Sequence, residues 1–579
     1  MAPTGEPRPA SYRHGVPAGE VRRIAEDYWD IVLEASPTTA TILGDHRFDD
    51  RIEDLSANGE AELRSKLLAR QQQLAELDRD DLAGDDRVTF SQLERELADG
   101  LLAIEQRLSE LQSDQMTSFH VGLLQSLPVM LLSEPDQAAA VVERYRQIPT
   151  ALEQAVDRFR HGVKTGRTPA RVCIERSINM VDGYLASSLD QDVFVNVPGP
   201  QGWEGEAAWR QQLTQVTGDV IRPAYRSLRD GLVEYLLPVA RSDDRCGLSW
   251  LSDGPGIYDA LVGHHTTLEL RPEDIHAIGL EHLNDKLPAE YAEIGRRLFG
   301  LTSVAATFDR LRTDHSLRYE HGEEIMANAR RVVEAATAAM AGWFGRLPVS
   351  SCRIEAIPEF LAADSPGAYY YPPAGDGSRP GTYYVNTHDP AEKNRYEAAA
   401  VAFHEAIPGH HLQLAIANEL TDLPRFRRQS LTNTAYVEGW GLYAERLADE
   451  MGLYESDLDR LGMLTADSLR ACRLVVDTGL HALGWSRQQA IDFMAAHIPV
   501  SVEEVTVEVD RYIAMPGQAL AYKLGQREIF RIREAARERL GPGFDIKSFH
   551  DTLLGSGPVI LPVLAELVDD WVGDREHST

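Results

Sequence analysis

Ala399-Ala400-Val401-Ala402-Phe403-His404-Glu405-Ala406-Ile407-Pro408-Gly409-His410-His411-Leu412-Gln413 decides how this chain is read. The first half is alanine-rich and apolar, a strong helix former with little face to offer water. Pro408 has no N–H for the i→i−4 bond and Gly409 tolerates a break, so a kink or bulge is predicted here. On an unbroken helix, His404 and His411 would share a face about 10 Å apart along the axis, too far for one ion. A break can swing His410 back beside His404, and His410 is preferred to His411 on that ground. A plain helix end would need one histidine at most to cap its carbonyls. Three histidines and a glutamate around a Pro-Gly break ask for more.

The chemistry that uses such a set is zinc binding. In the HExxH helix of zinc peptidases, two histidines at i and i+4 hold the ion and the glutamate polarises a water. Here Pro408 stands at i+4, and the next histidines come six and seven residues after His404. The expected ligands are therefore His404 and His410, with His411 as the alternative and Glu405 as the base. A third ligand is expected on a neighbouring helix, and Thr434-Ala435-Tyr436-Val437-Glu438-Gly439-Trp440-Gly441-Leu442-Tyr443-Ala444-Glu445-Arg446 supplies it. Glu438 follows Glu405 by 33 residues, room for a loop and an antiparallel return helix. Gly439 and Gly441 allow another backbone to come close. Glu445, two turns on, can orient a ligand histidine from behind.

Outward from this segment the pattern is helical. Glu60–Leu111 and Pro135–Val163 place apolar residues at three- and four-residue spacing, and further helices are expected over about 206–240, 271–298 and 321–345. Leu101, Leu102, Ile104, Leu108 and Leu111 read as one buried stripe. The β signal is confined to 352–388, where Gly367–Tyr371 and Gly381–Asn386 flank the turn-rich Pro372–Pro380, predicting a hairpin. Residues 1–17 are rich in Pro, Gly and Arg and are expected to be disordered. Residues 18–245 then form a helical N-terminal lobe and 246–579 the lobe carrying the metal site, the two together being one continuous domain if their cores merge.

Composition narrows the function classes. The formal charge of −32 leaves no basic face for phosphate, which argues against nucleic acid. Cys173, Cys246, Cys352 and Cys472 are scattered without a CxxC pair, so free thiols are expected. No run reaches the roughly 18 apolar residues that span a bilayer, and Met1–Pro7 has no apolar h-region, so a cytoplasmic location away from membranes is expected.

His404-Glu405-Ala406-Ile407-Pro408-Gly409-His410 and Glu438-Gly439-Trp440 resemble the HExxPGH signature of the bacterial domain-of-unknown-function 885 family, a zincin-like group. The resemblance extends through Pro37–Asp45, Asp477–His481 and Pro516–Gly525, over most of the chain. It implies a mainly α, gluzincin-like metalloprotein that hydrolyses peptide or amide bonds; a small β hairpin or sheet is expected beside its active-site cleft. It implies no substrate.

Other residues fit a hydrolase. Asp477 and His481 share a helix face, where they could bind substrate, support a ligand or satisfy each other. Tyr522 with His481 is the expected oxyanion donor. Arg511, Tyr512, Gln518 and Lys523 crowd one segment with a Pro-Gly break, and Lys523 or Arg527 could receive a substrate carboxylate. Tyr384 and Asn386 lie on the hairpin, which is expected either to align an extended substrate along a sheet edge or to be a small structural hairpin covering the cleft. The reading is thus a zinc hydrolase acting on a peptide or small amide, with Glu405 as general base. The alternatives are a metal-dependent biosynthetic enzyme acting on a small metabolite, by amide cleavage, cyclisation or elimination, and a non-catalytic binding protein that has lost its site.

Overall fold

The computed structural model describes residues 19–127, 130, 132–362, 366–373, 379–430 and 432–577. The expected disorder of residues 1–17 and most of the hairpin turn lie outside them. Helices dominate, for local reasons that Pro135–Lys164 illustrates. Pro135 opens it, and Gln137 Oε1 accepts the Glu134 N–H at 3.0 Å to close its first turn. Val141, Tyr145, Ile148, Leu152, Val156 and Phe159 then recur every three or four residues and are all buried. Each side chain of this kind contributes about 1.5–3 kcal/mol by leaving water. The stripe expected from Leu101 to Leu111 is broken instead, because its helix, Gly84–Glu105, ends first. Of its residues only Leu101 is fully buried, while Leu102, Leu108 and Leu111 line a cavity of about 300 Å³ with Ile257, Leu261 and Ile513.

The strands form one small mixed sheet: β1 (Arg353–Ala356), β2 (Ala368–Tyr371) and β3 (Thr382–Val385) in the order β1-β3-β2. The expected hairpin is the antiparallel β2–β3 pair, with Tyr370 opposite Tyr383. The third strand was not foreseen: β1 pairs parallel to β3, Ile354 opposite Tyr383. β3 is therefore central, its backbone groups engaged on both sides, and it cannot accept a substrate strand. This corrects the expectation that Tyr384 and Asn386 sit on a substrate-aligning edge. Asn386 also spends its side chain locally, donating to Ala362 O at 2.7 Å and accepting from the His388 N–H at 3.0 Å.

Six helices build the site: α1 (Ala398–Glu405), α2 (His410–Glu419), α3 (Thr434–Glu450), α4 (Asp457–His481), α5 (Val502–Ala514) and α6 (Ala521–Leu540). α4 is buried almost throughout its second half, from Ala471 to His481. The largest core gathers residues from these helices together with Val88, Ala170, Val172 and Cys173 of the N-terminal half. The four cysteines are free thiols, three of them buried. Among the described residues, no helix is long and apolar enough to cross a membrane.

Candidate metal centre

The break after Glu405 folds the chain back on itself. α1 ends at Glu405, and α2 starts at His410. A Cβ on Gly409 would lie 1.9 Å from the His404 carbonyl oxygen and 2.4 Å from that of Phe403, so only glycine fits the return. The Trp440 indole N–H bonds the Pro408 carbonyl at 3.0 Å and so fixes the break to α3. The result sets the rings of His404 and His410 edge to face, centroids 4.7 Å apart.

Glu438 arrives from α3. Its Oε2 lies 3.4 Å from His404 Nε2 and 3.5 Å from His410 Nε2. One ligand atom from each of His404, His410 and Glu438 lies within 4.8 Å of the others, so the three form a group that could hold a metal ion. Gly439, Trp440 and Gly441, which follow Glu438, support this arrangement. Gly439 meets Gly525 of α6, where a Cβ would lie 2.5 Å from backbone carbon, and this close crossing seats Tyr522 beside the site. The Tyr522 ring stacks on His404, with 6.5 Å between centroids. Gly441 lies against the His404 imidazole itself.

Behind His404, the Nδ1–H donates to Glu445 Oε1 at 2.9 Å, which leaves Nε2 free to face Glu438. Burial disfavours a charged His404, but Glu438 and Glu445 outweigh it and raise the imidazole to about 9. Burial likewise pushes Glu438 up, yet the two histidines hold it well below the ordinary carboxylate range. Glu405 differs: burial dominates and raises it. Among the described residues its carboxylate has no hydrogen-bond partner. Tyr383, the inward residue of β3, is near enough for that carboxylate to add to burial in pushing the phenol upward.

Several expected residues stand elsewhere. His411 turns to the sheet, accepting from Tyr370 OH at 2.9 Å and donating to Ser350 O at 3.1 Å, so it is no alternative ligand. His481 accepts from the Leu248 N–H at 3.1 Å and donates to Tyr512 O at 3.0 Å. With both nitrogens spent it cannot serve an oxyanion. Asp477 does not pair with it, taking the Tyr258 hydroxyl and the Gly517 N–H instead. Lys523 is buried against Asp467 and Gln526, and so cannot receive a substrate carboxylate. Arg511 and Gln518 do reach Tyr522, at 3.4 and 3.5 Å from its hydroxyl, while Tyr512 donates to Glu508. Arg470 and Arg473, which sequence reasoning passed over, also face Tyr522, at 5.8 and 4.5 Å from its ring. The cavity of about 300 Å³ touches none of the three metal-group residues.

Fold and site together define a mainly helical protein with a buried His-His-Glu group able to hold a metal ion. The chain belongs to the DUF885 family of bacterial proteins of unknown function, which matches residues 37–568. Among curated proteins none matches it. Two solved structures are similar, each described as a "putative lipoprotein". The one from Colwellia psychrerythraea is 27% identical with a TM-score of 0.88, covering 96% of this chain and 99% of its own. The one from Shewanella oneidensis is 19% identical with a TM-score of 0.74, covering 94% and 99%, a likeness of fold alone. The lipoprotein description of the Colwellia psychrerythraea neighbour overturns the expected cytoplasmic location.

Proposed function

We propose that the protein is a zinc-dependent, gluzincin-like hydrolase of a peptide or amide bond. The observation that carries this reading is the convergence of His404, His410 and Glu438, with the Glu405 carboxylate near enough to interact with all three. Two imidazoles and a carboxylate are a zinc donor set. The charges are consistent with this: Glu438, Glu445 and Glu405 all favour the charged form of His404, and so add negative charge where a cation would sit. His404, His410 and Glu438 would hold the ion, with Glu445 orienting His404 from behind. When bound, the metal supplies Lewis acidity that polarises a carbonyl and makes a water more acidic.

The chain's own groups do the rest. Glu405 takes a proton from the attacking water as its oxygen bonds the carbonyl carbon, and returns it to the leaving nitrogen as the C–N bond breaks. The Tyr522 hydroxyl, positioned by Arg511 and Gln518, donates to the oxygen that gains charge. Glu405→Gln should retain about one equivalent of zinc by elemental analysis and lose turnover by roughly 10²-fold or more. His404→Ala should lose the metal. Activity surviving in Glu405→Gln would remove the base, and wild-type protein that stays metal-free in added zinc would remove the hydrolase.

A further inference from the structure

Next to the metal group, three arginines converge on one tyrosine. The guanidinium carbons of Arg473, Arg470 and Arg511 lie 4.5, 5.8 and 6.0 Å from the centre of the Tyr522 ring, the ring that stacks on His404. One carboxylate serves two of them: Glu508 Oε2 accepts from Arg473 at 3.0 Å and from Arg511 at 3.3 Å. Burial works against its charge, but those two cations hold Glu508 at about 2, so it is ionised. Arg470 comes no nearer a carboxylate than 3.8 Å from Glu445 Oε1, which already accepts from His404. Glu397 also faces Arg470, but burial and Glu504 push it up to about 7, so it is only partly charged near neutrality.

The hydrogen bonds tell the same story as the charges. Arg473 is 5% exposed, and among the described residues neither its NH1 nor the Nε of Arg470 has a hydrogen-bond partner. Buried guanidinium groups are expensive unless an anion completes their bonds. Their planar fork suits a carboxylate, which can accept two N–H bonds at once. The Tyr522 ring that the arginines face lies 6.5 Å from the His404 ring, about the span of two residues of extended chain at about 3.4 Å each.

We propose that Arg470, Arg473 and Arg511 receive the free carboxylate of a substrate whose scissile bond lies one or two residues away, at the metal group. The substrate class is then a peptide cut near its C-terminus, or an N-acyl amino acid. This rests on the hydrolase reading, which it deepens, and it moves the carboxylate-binding role from Lys523 to the arginines of α4 and α5.

The test is binding, so that it does not depend on turnover. Zinc-treated Glu405→Gln protein is equilibrated by dialysis with two matched libraries of N-acetylated tripeptides, one ending in free carboxylates and one in carboxamides. The proposal expects the acids to be retained about 10–100-fold more strongly than the amides, the scale of charge-assisted hydrogen bonds. It expects Arg511→Gln, added to that protein, to erase the difference while the circular dichroism spectrum is unchanged. Equal retention of acids and amides, or retention of neither, overturns it. The wild-type-like comparison alone decides the matter if Arg511→Gln fails to fold. Acids retained but never cleaved by the parent protein would leave the carboxylate site standing and the hydrolase reading refuted.

Discussion

Gly441→Ala puts the construction of the metal centre under direct test. The added Cβ would lie 2.7 Å from His404 Cε1, 2.8 Å from Nε2 and 3.0 Å from Nδ1, where ordinary contact begins at 3.4 Å. The ring must therefore retreat by roughly 0.4–0.7 Å. Metal–ligand distances tolerate only about 0.2 Å. The retreat also strains the 2.9 Å bond to Glu445, and loss of such outer support costs about 10–100-fold in metal affinity. Both effects act on one ligand, so zinc affinity should fall by at least about 100-fold, or about 2.7 kcal/mol. The fold should barely notice. Alanine favours the helix interior by about 1 kcal/mol over glycine, which offsets much of a local overpacking cost of about 1–3 kcal/mol. Competition against a chromophoric chelator gives the zinc affinity, and thermal unfolding of the metal-free protein gives the stability. A folded variant that binds zinc within threefold of wild type would refute the reasoning, since His404 would then not be a ligand held against α3.

Two further perturbations probe buried charge. In Asp467→Asn, the Lys523 ammonium, 3% exposed, loses its carboxylate and keeps only Gln526 Oε1 at 2.8 Å, while Arg446 loses its 2.9 Å bond. A loss of about 3–5 kcal/mol is expected from urea unfolding, and a change below about 1 kcal/mol would contradict the pairing. Burial holds His550 at about 3 and His481 at about 4, both below an unfolded value near 6.5. Between those values the unfolded chain binds more protons, so the contribution is complete above about pH 6.5 and fades as pH falls toward the folded values. At pH 5 each histidine should cost about 2 kcal/mol relative to neutrality. His550→Gln cannot titrate and should show a shallower fall between pH 7 and 5, whereas an identical slope in the two proteins would rule the histidine out.

How much of this was legible in the sequence depends on what each residue type can conceal. Pro408 and Gly409 announced the break because no side chain elsewhere can restore a missing N–H or excuse a missing Cβ. Glu438 was legible through its glycines, for the same steric reason. β1 was not, since its four residues run exposed, half-buried, half-buried, exposed and so show no period of two. Without β1 the hairpin's central strand passed for an edge, and Tyr384 and Asn386 were misassigned with it. The errors at His481 and Lys523 have another origin: spacing shows which groups share a helix face, but not where each spends its hydrogen bonds. α4 makes the point. Asp467, Arg470, Arg473, Asp477 and His481 recur every three or four residues, a polar seam along a helix that is otherwise core. Its ends are satisfied, Asp467 by Lys523 and Arg446, Asp477 by Tyr258 and Gly517, His481 by backbone. Among the described residues, the middle pair of the seam, Arg470 and Arg473, keeps unpartnered nitrogens. A buried polar seam that is closed at both ends is structure; the gap left in its middle, one ring from a metal group, is where a ligand belongs.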